Sequence, residues 1–182
     1  MSAKEFFYGL SDIGVGSQME DVELFFTRFN RKRNGRIDFG EFAEALDSSD
    51  DYLKVMLARR HSSERRLNPY RKDDLFSLET ADSFKELLQT HLRVESSAES
   101  MRQHLAKNPY FDLNTAFSMA DYSRRGAFTK DELRMTLERR GCFISDNEAK
   151  SVARKFDFNN DGIITFSEFV DEVRPKSPVR RI

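Results

Sequence analysis

A twelve-residue stretch, Asp157 to Glu168, places the strongest constraint on how this chain folds. It reads DFNNDGIITFSE and lies between two segments whose apolar residues recur at helical spacing. Side chains that carry oxygen stand at its first, third and fifth positions, and a glycine follows at the sixth. A hydrophobic residue, Ile164, occupies the eighth position, and a glutamate closes the stretch at the twelfth. This spacing predicts a cation-binding loop between two helices.

The donor set suits calcium. Calcium takes six to eight oxygen ligands at roughly 2.3–2.6 Å in a flexible shell. Gly162 permits the sharp turn that a residue with a Cβ resists, and Glu168 is long enough to offer both of its oxygens. Ile164 is expected to point into the core and to pair with a neighbouring loop. We predict one calcium ion, held by Asp157, Asn159, Asp161, the carbonyl of Ile163, Thr165 and Glu168.

The two ends of the chain repeat each other at an offset of 127 residues, without a gap. Matching pairs include Glu5 with Glu132, Phe29 with Phe156, Gly35 with Gly162, Ile37 with Ile164 and Glu41 with Glu168. In this register Met1 falls on the eighth position of a loop and Glu5 on its closing glutamate. The chain is therefore expected to start inside a helix-loop-helix unit whose first half is absent. Either it is a fragment of a longer array, which we favour, or the pairing has been trimmed.

Two more stretches keep the loop pattern but place a basic residue inside it. DYSRRGAFTKDE, residues 121–132, has an arginine at the fifth position, and NRKRNGRIDFGE, residues 30–41, has a lysine at the third. A like charge a few ångströms from calcium in a partly dry site is strongly unfavourable. Both loops are predicted to be metal-free. Their ligand positions hold Asp121, Ser123, Arg125 and Glu132 in one loop, and Asn30, Lys32, Asn34 and Glu41 in the other.

With these loops the sequence resembles the EF-hand family, the calcium-binding superfamily of calmodulin and centrin. The resemblance implies an all-α fold of paired helix-loop-helix units joined by a long helix. It also implies a short antiparallel contact between eighth-position residues, here Phe128 with Ile164. The expected divisions are an N-terminal pair with a truncated first hand and a degenerate second hand (1–50), a basic linker and connecting helix (51–108), a C-terminal pair (109–174) and a basic tail (175–182).

Capping residues and apolar periodicity mark the helices. Ser145 with Glu148, and Ser17 with Glu20, are predicted capping boxes. A long helix is predicted from about Leu78 to Lys107, and we expect it to fill a groove of its own chain, leaving the C-terminal pair occupied, or else to pair with a partner helix. Its predicted apolar stripe is Phe84, Leu87, His91, Val94, Ala98, Met101 and Leu105, widened by Leu88 and Leu92.

Two basic stretches lie outside the loops. Residues 51–72 hold seven Lys and Arg against two acidic residues, and are either a solvated linker or a dock for an acidic partner such as a tubulin tail or an anionic lipid surface. The tail carries Ser177-Pro178-Val-Arg180, which resembles a proline-directed kinase site.

Composition and motifs exclude several function classes. The net charge is -1, so nothing draws the whole chain to nucleic acid, and binding to a membrane is not expected. The single Cys142 excludes an internal disulfide framework and fits a reducing, cytoplasmic compartment. The three histidines are scattered and no catalytic set is recognisable, so an enzyme is not expected.

Segments between and after the loops, SFKELLQTHLRVE, SMRQHLAKNPYFDLNTAF and FVDEVRPKSP, are similar to protist and ciliary EF-hand proteins. This second resemblance implies a structural or interaction component of a ciliary axoneme or microtubule cytoskeleton, with microtubule-associated or axonemal protein partners. The alternative is a calmodulin-like calcium sensor that captures an amphipathic target helix. Only Met119 and Met135 lie near the C-terminal pair, which favours the structural role over a Met-rich sensor groove.

Overall fold

The structure is a computed structural model that describes residues 1–47, 50–59 and 76–177. The predicted all-α class is confirmed, since helices dominate these residues. The chain divides into two compact units, the first from Met1 to Glu99 and the second beginning at Ser100. Each unit has its own hydrophobic core.

The first unit contains short helices and the beginning of a long one. They are α1 (Ala3–Asp12), α2 (Met19–Phe29), α3 (Phe39–Leu46), α4 (Asp51–Arg59) and the first part of α5 (Leu78–Lys107). Capping boxes start α1 at Ser2 and α3 at Asp38. The capping box predicted at Ser17 is wrong: α2 begins after Gln18, and no side-chain hydrogen bond caps it.

Phenylalanine rings dominate the core of the first unit. Phe6 of α1 stacks on Phe25 of α2, with ring centroids 5.1 Å apart. Leu88 and Leu92 of α5 are buried in the same cluster. The buried residues are Phe6, Leu10, Val15, Val22, Phe25, Phe26, Ile37, Ala45, Leu88 and Leu92.

The first residues of the chain pair with the loop of residues 30–41. Met1 donates from its amino group to the carbonyl of Ile37 over 2.9 Å, and the Ile37 amide donates back to the Met1 carbonyl over 2.8 Å. Ser2 and Arg36 form an antiparallel bridge. This contact joins the two positions that the repeat aligns with Phe128 and Ile164.

The long helix has the bounds that the sequence predicts, Leu78–Lys107, but it buries only part of the predicted stripe. The prediction that it packs on its own chain is confirmed for Leu88 and Leu92, whereas Leu87, Val94 and Met101 of the predicted stripe are exposed. The buried positions are Leu88, Leu92, Glu95, Glu99 and Arg102. Steps of three and four residues fit the face of Leu87 and the face of Leu88 equally well. The face that packs also includes charged residues, which a search for apolar periodicity does not detect.

The second unit holds two helix-loop-helix elements joined by a small sheet. Its elements after α5 are α6 (Leu113–Ala120), β1 (Ala127–Thr129), α7 (Lys130–Arg139), α8 (Asp146–Phe156), β2 (Ile163–Thr165) and α9 (Phe166–Val173). β1 and β2 are antiparallel and place Phe128 opposite Ile164, which confirms the predicted contact. The capping box of Ser145 and Glu148 is also confirmed.

Aromatic packing fills the core of the second unit as well. Phe156 of α8 stacks on Phe169 of α9 with ring centroids 5.8 Å apart and planes 11° from parallel. Phe117 of α6 packs against Phe128, with centroids 5.4 Å apart. The buried residues are Phe117, Ala120, Phe128, Leu133, Ala153 and Ile164.

Part of the predicted basic regions lies outside the described residues. Of the stretch from 51 to 72, α4 covers 51–59, and residues 60–72 are not described. In the tail, the description ends at Ser177. Among the described helices, none combines the length and the apolar character that crossing a membrane requires.

Candidate metal centre

The three loops share an unusual backbone. In each, the residue at the fourth position has a positive φ between 50° and 57°, and the glycine at the sixth position has a φ between 73° and 82°. The left-handed region is strained for side chains that carry a Cβ, and asparagine tolerates it better than arginine. The fourth-position residues are Arg33, Arg124 and Asn160, and the glycines are Gly35, Gly126 and Gly162. All three loops therefore have the same turn, whatever their ligands.

Asp157 anchors the start of the third loop. It is the C-cap of α8, it is largely buried, and its two carboxylate oxygens accept from the amides of Asp161 (3.1 Å) and Gly162 (2.9 Å). Asp161 accepts in turn from the Ile163 amide over 2.8 Å. These bonds hold both carboxylates against the backbone of the turn.

Glu168 closes the loop from α9, where it is the third helical residue. One oxygen of its carboxylate accepts from the amide and the hydroxyl of Thr165, over 3.0 and 2.7 Å. The other accepts from the Phe158 amide, over 3.2 Å. A single side chain thus joins the second and ninth positions of the ring.

The donor set of this loop fits a calcium ion. Its carboxylates stand at the first, fifth and twelfth positions, with an amide, a carbonyl and a hydroxyl oxygen between them, and the loop contains no Lys or Arg. Such a mixed oxygen set is what calcium prefers. In the described parts of the chain, no three His, Cys, Asp or Glu side chains converge as a metal cluster by themselves. Three of the six predicted donors in this loop are not carboxylates but amide, carbonyl and hydroxyl oxygens.

In the second loop, Arg125 extends across the ligand positions. Its Nε donates to the Ser123 hydroxyl over 2.7 Å, and its terminal nitrogen lies 3.3 Å from a carboxylate oxygen of Glu132. Its backbone amide donates to Asp121 over 3.0 Å. The guanidinium therefore bonds to the third and twelfth positions, where a metal would be bound.

Glu132 stays ionised readily in this setting. Burial opposes the charge, but hydrogen bonds from Thr129 and Ser123 and the positive charge of Arg125 outweigh it and lower the pKa of Glu132. The carboxylate has the same Thr129 contacts that Glu168 has with Thr165. The ionised Glu132 carboxylate therefore closes this loop through its bonds to Thr129 and Arg125.

The first loop uses a lysine in a comparable way. Lys32 donates from its ammonium group to the Asp38 carboxylate, and this hydrogen bond raises the pKa of Lys32 and lowers that of Asp38. Glu41 accepts from the amides of Asp38 (3.0 Å) and Lys32 (3.1 Å), and these two bonds lower the pKa of Glu41. Asn30 and Asn34 accept from loop amides. Asp38, which keeps the oxygen of the ninth position, is thus the partner of Lys32.

A groove of about 640 Å³ lies in the second unit and is lined by the last turn of α5, the start of α6 and α9. The last turn of α5 forms one wall of this groove, and the expectation that α5 occupies the C-terminal pair stays a prediction. Arg102 fixes the adjacent end of α9, donating to the Glu172 carbonyl (2.8 Å) and carboxylate (2.7 Å). The apolar lining is Leu105, Phe111, Leu113, Phe166, Val170 and Val173.

Comparison with known proteins finds a matching family model and several similar calcium-related proteins. Residues 110–174 match the family model of an EF-hand domain pair. Mouse serine/threonine-protein phosphatase with EF-hands 1 is 26% identical over 161 residues, which cover 85% of this chain and 23% of the phosphatase. Calcium-binding protein CML38 of Arabidopsis thaliana is 33% identical over 91 residues, 48% of this chain and 51% of that protein. Calmodulin-like protein 5 of the same plant is 36% identical over 58 residues, 32% of this chain and 27% of that protein. The chain spans about a quarter to a half of the length of these relatives.

Proposed function

The chain belongs to the EF-hand calcium-binding superfamily through residues 110–174, and from this premise we propose that it binds one calcium ion and serves as a structural or interaction component. The ion binds at Asp157 to Glu168. The observation that carries this proposal is the contrast between three loops with one backbone. Arg125 and Lys32 each bond to a ligand-position side chain of their own loop, and the third loop contains no basic residue.

The residues of the third loop connect its two helices. Asp157 ends α8, and Glu168 lies in the first turn of α9, so both helices depend on the same ring of oxygens. When bound, calcium supplies positive charge at the centre of this ring. The hydrogen bonds that Asp157 and Glu168 accept from backbone amides pre-organise the loop. Without a cation, the negative charges of these two carboxylates repel each other. Binding is therefore expected to stiffen the junction of α8 and α9.

The packing of α5 supports a structural role for the first unit. Leu88 and Leu92 are buried in a core that also holds Phe6 and Phe25. A hand pair that has packed a helix of its own chain has less apolar surface to offer a foreign one. Because Lys32 occupies a ligand position of its loop, the first unit is not expected to bind calcium or to change conformation with it.

The groove of the second unit supports a protein partner. Its lining is mostly apolar, with Leu105 on one wall and Val170 on another, which suits the hydrophobic face of a helix. The same groove supports the second candidate, a calmodulin-like sensor that captures an amphipathic helix. The two candidates differ in whether calcium controls access to the groove.

A peptide-binding measurement separates these candidates. A fluorescent amphipathic helical peptide is titrated with the full chain, with and without calcium. A structural role predicts affinities within about twofold of each other, and a sensor predicts binding only with calcium. Leu105→Asp in the groove wall should abolish binding, and Met101→Asp, an exposed position on the same helix, should not. If the chain binds no peptide in either condition, the groove is not an interaction site.

We also propose a cytoplasmic, non-enzymatic component of a cilium, axoneme or other microtubule structure. This proposal rests only on the resemblance drawn from the sequence of the segments between and after the loops. Microtubule co-sedimentation of the full chain with axonemal extract, and without it, is the test. Pelleting only with extract supports association through a microtubule-associated partner, and absence from the pellet in both conditions contradicts the cytoskeletal role.

A further inference from the structure

The segment after α9 is tied back to the rest of the second unit. α9 ends at Val173, and Arg174 is extended because it precedes Pro175. Lys176 donates from its ammonium group to the carbonyl of Asp171. Beyond it, the hydroxyl of Ser177 accepts a hydrogen bond of 2.9 Å from the side-chain amide of Gln103 on α5. Residues 174–177 are thus docked against both α9 and α5.

Ser177 is also distinctive in the sequence. Of the four prolines, three follow Asn68, Asn108 and Arg174, so Ser177-Pro178 is the only Ser-Pro or Thr-Pro dipeptide in the chain. A residue before proline is restricted to extended conformations, the form in which a peptide lies in a kinase cleft. A basic residue, Arg180, follows three positions after the serine. This is the pattern that proline-directed kinases accept.

We propose that Ser177 is a phosphorylation site for a proline-directed protein kinase and that its contact with Gln103 gates the modification. In the reaction the Ser177 hydroxyl oxygen forms a bond to the γ-phosphorus of ATP. The bond from that phosphorus to the oxygen bridging to the β-phosphorus breaks, ADP leaves, and the hydroxyl proton passes to the base of the kinase. Because the hydroxyl is half-buried against α5, the segment must release Gln103 before it can enter the kinase.

Phosphorylation should keep the segment released. The phosphoryl group adds a phosphorus and three oxygens where the hydroxyl now lies 2.9 Å from the Gln103 nitrogen. It also brings nearly two negative charges close to the carboxyl end of α5, which ends at Lys107 and carries a partial negative charge. The helix dipole therefore opposes redocking.

Release has a consequence for the groove. Arg174 and Pro175 form part of its lining, so moving residues 174–177 changes one wall. This consequence rests on the proposed function, whereas the modification site itself does not. Phosphate incorporation and peptide binding are therefore measured separately, so that failure of one is not taken for failure of the other.

The first experiment measures phosphate transfer to the full chain. The protein is incubated with a proline-directed kinase and ATP, and the modified residue is identified by mass spectrometry. Ser177 should be modified, and Ser177→Ala should abolish transfer. Gln103→Ala should raise the initial rate roughly 2- to 10-fold, the effect expected from losing one hydrogen bond that holds the segment docked. Gln89→Ala, on the same helix, is the matched control and should leave the rate unchanged. No transfer to Ser177, or equal rates for Gln103→Ala and Gln89→Ala, overturns the proposal.

The second experiment measures undocking. Amide hydrogen exchange of the phosphorylated and unmodified proteins is compared over residues 170–177 and in α5. Phosphorylation should speed exchange at Lys176 and Ser177 and leave α8 unchanged. Unchanged exchange at Lys176 and Ser177 contradicts release of the segment.

Discussion

The guanidinium of Arg125 lies 3.3 Å from the carboxylate of Glu132, the residue that closes its own loop. The same guanidinium bonds to Ser123, so one side chain connects the third and twelfth ligand positions. In the loop of residues 157–168 no basic residue is present, and Glu168 makes the same threonine contacts as Glu132. At the side-chain ligand positions the two loops differ in the third residue, Ser123 or Asn159, and in the fifth, Arg125 or Asp161. Of these, only Arg125 introduces a positive charge.

Replacing that side chain should create a second calcium site. Arg125→Asp removes the cation and restores an oxygen at the fifth position, beside Asp121, Ser123 and Glu132. Calorimetric titration should then find two calcium ions rather than one. Arg124→Asp is the matched control, because it makes the same change of charge at the fourth position, which is not a ligand, and aspartate tolerates the positive φ there.

The control decides how the result is interpreted. If Arg124→Asp gains an ion as well, general electrostatics rather than the position of the oxygen is responsible. If Arg125→Asp gains none, the loop lacks some other requirement for binding.

The buried face of α5 predicts which leucines stabilise the first unit. Leu88 is 2% exposed and its neighbour Leu87 is 40% exposed. Leu88→Ala should lower the free energy of unfolding by about 2–5 kcal/mol, because it leaves a cavity in the core. Leu87→Ala should change it by less than about 1 kcal/mol. Urea unfolding of both variants measures the difference, and equal losses contradict the assigned face.

The sequence predicted the loops well because their geometry is local. Oxygen spacing, Gly162 and the closing glutamate are determined within twelve residues, and the internal repeat transfers them to the other loops. The pairing of Phe128 with Ile164 was implied by the resemblance to paired EF-hands, and the structure shows it. Binding of an ion by the loop of residues 157–168 stays a prediction.

The choice of helix face could not be predicted in the same way. Steps of three and four residues run through Leu87 and Leu88 alike, and only contacts with distant helices decide between them. Glu95, Glu99 and Arg102 are buried although their side chains are charged, so apolar periodicity gave no sign of them. Such outcomes depend on tertiary packing, which a local pattern does not contain.

The low pKa of Glu41 predicts acid sensitivity in the first unit. Hydrogen bonds from the amides of Asp38 and Lys32 stabilise the carboxylate in the folded state and lower its pKa. Its contribution to stability is therefore fully present above the unfolded-state pKa, near 4.5, and is lost as the pH falls through the lower folded-state value. Glu41→Gln removes this titration and should flatten the loss of stability below about pH 5.

Glutamine is a mild replacement here, because it also serves at this position of a capping box. Glu23→Gln on the exposed face of α2 is the control. Urea unfolding at a series of pH values from 3 to 7 compares the variants with the unmodified chain. Parallel curves for Glu41→Gln and the unmodified chain would refute a role for Glu41 in acid unfolding.

Calcium titration of the full chain by calorimetry, together with Glu168→Gln and Glu132→Gln, tests the central claim most directly. The two variants change the same loop position, one in the loop free of basic residues and one in the loop that contains Arg125. The unmodified chain should bind one ion with a dissociation constant of roughly 10⁻⁶ to 10⁻⁴ M. Glu132→Gln should keep that site, and Glu168→Gln should lose it. Two or more ions in the unmodified chain, or calcium binding that survives in Glu168→Gln, would contradict the account.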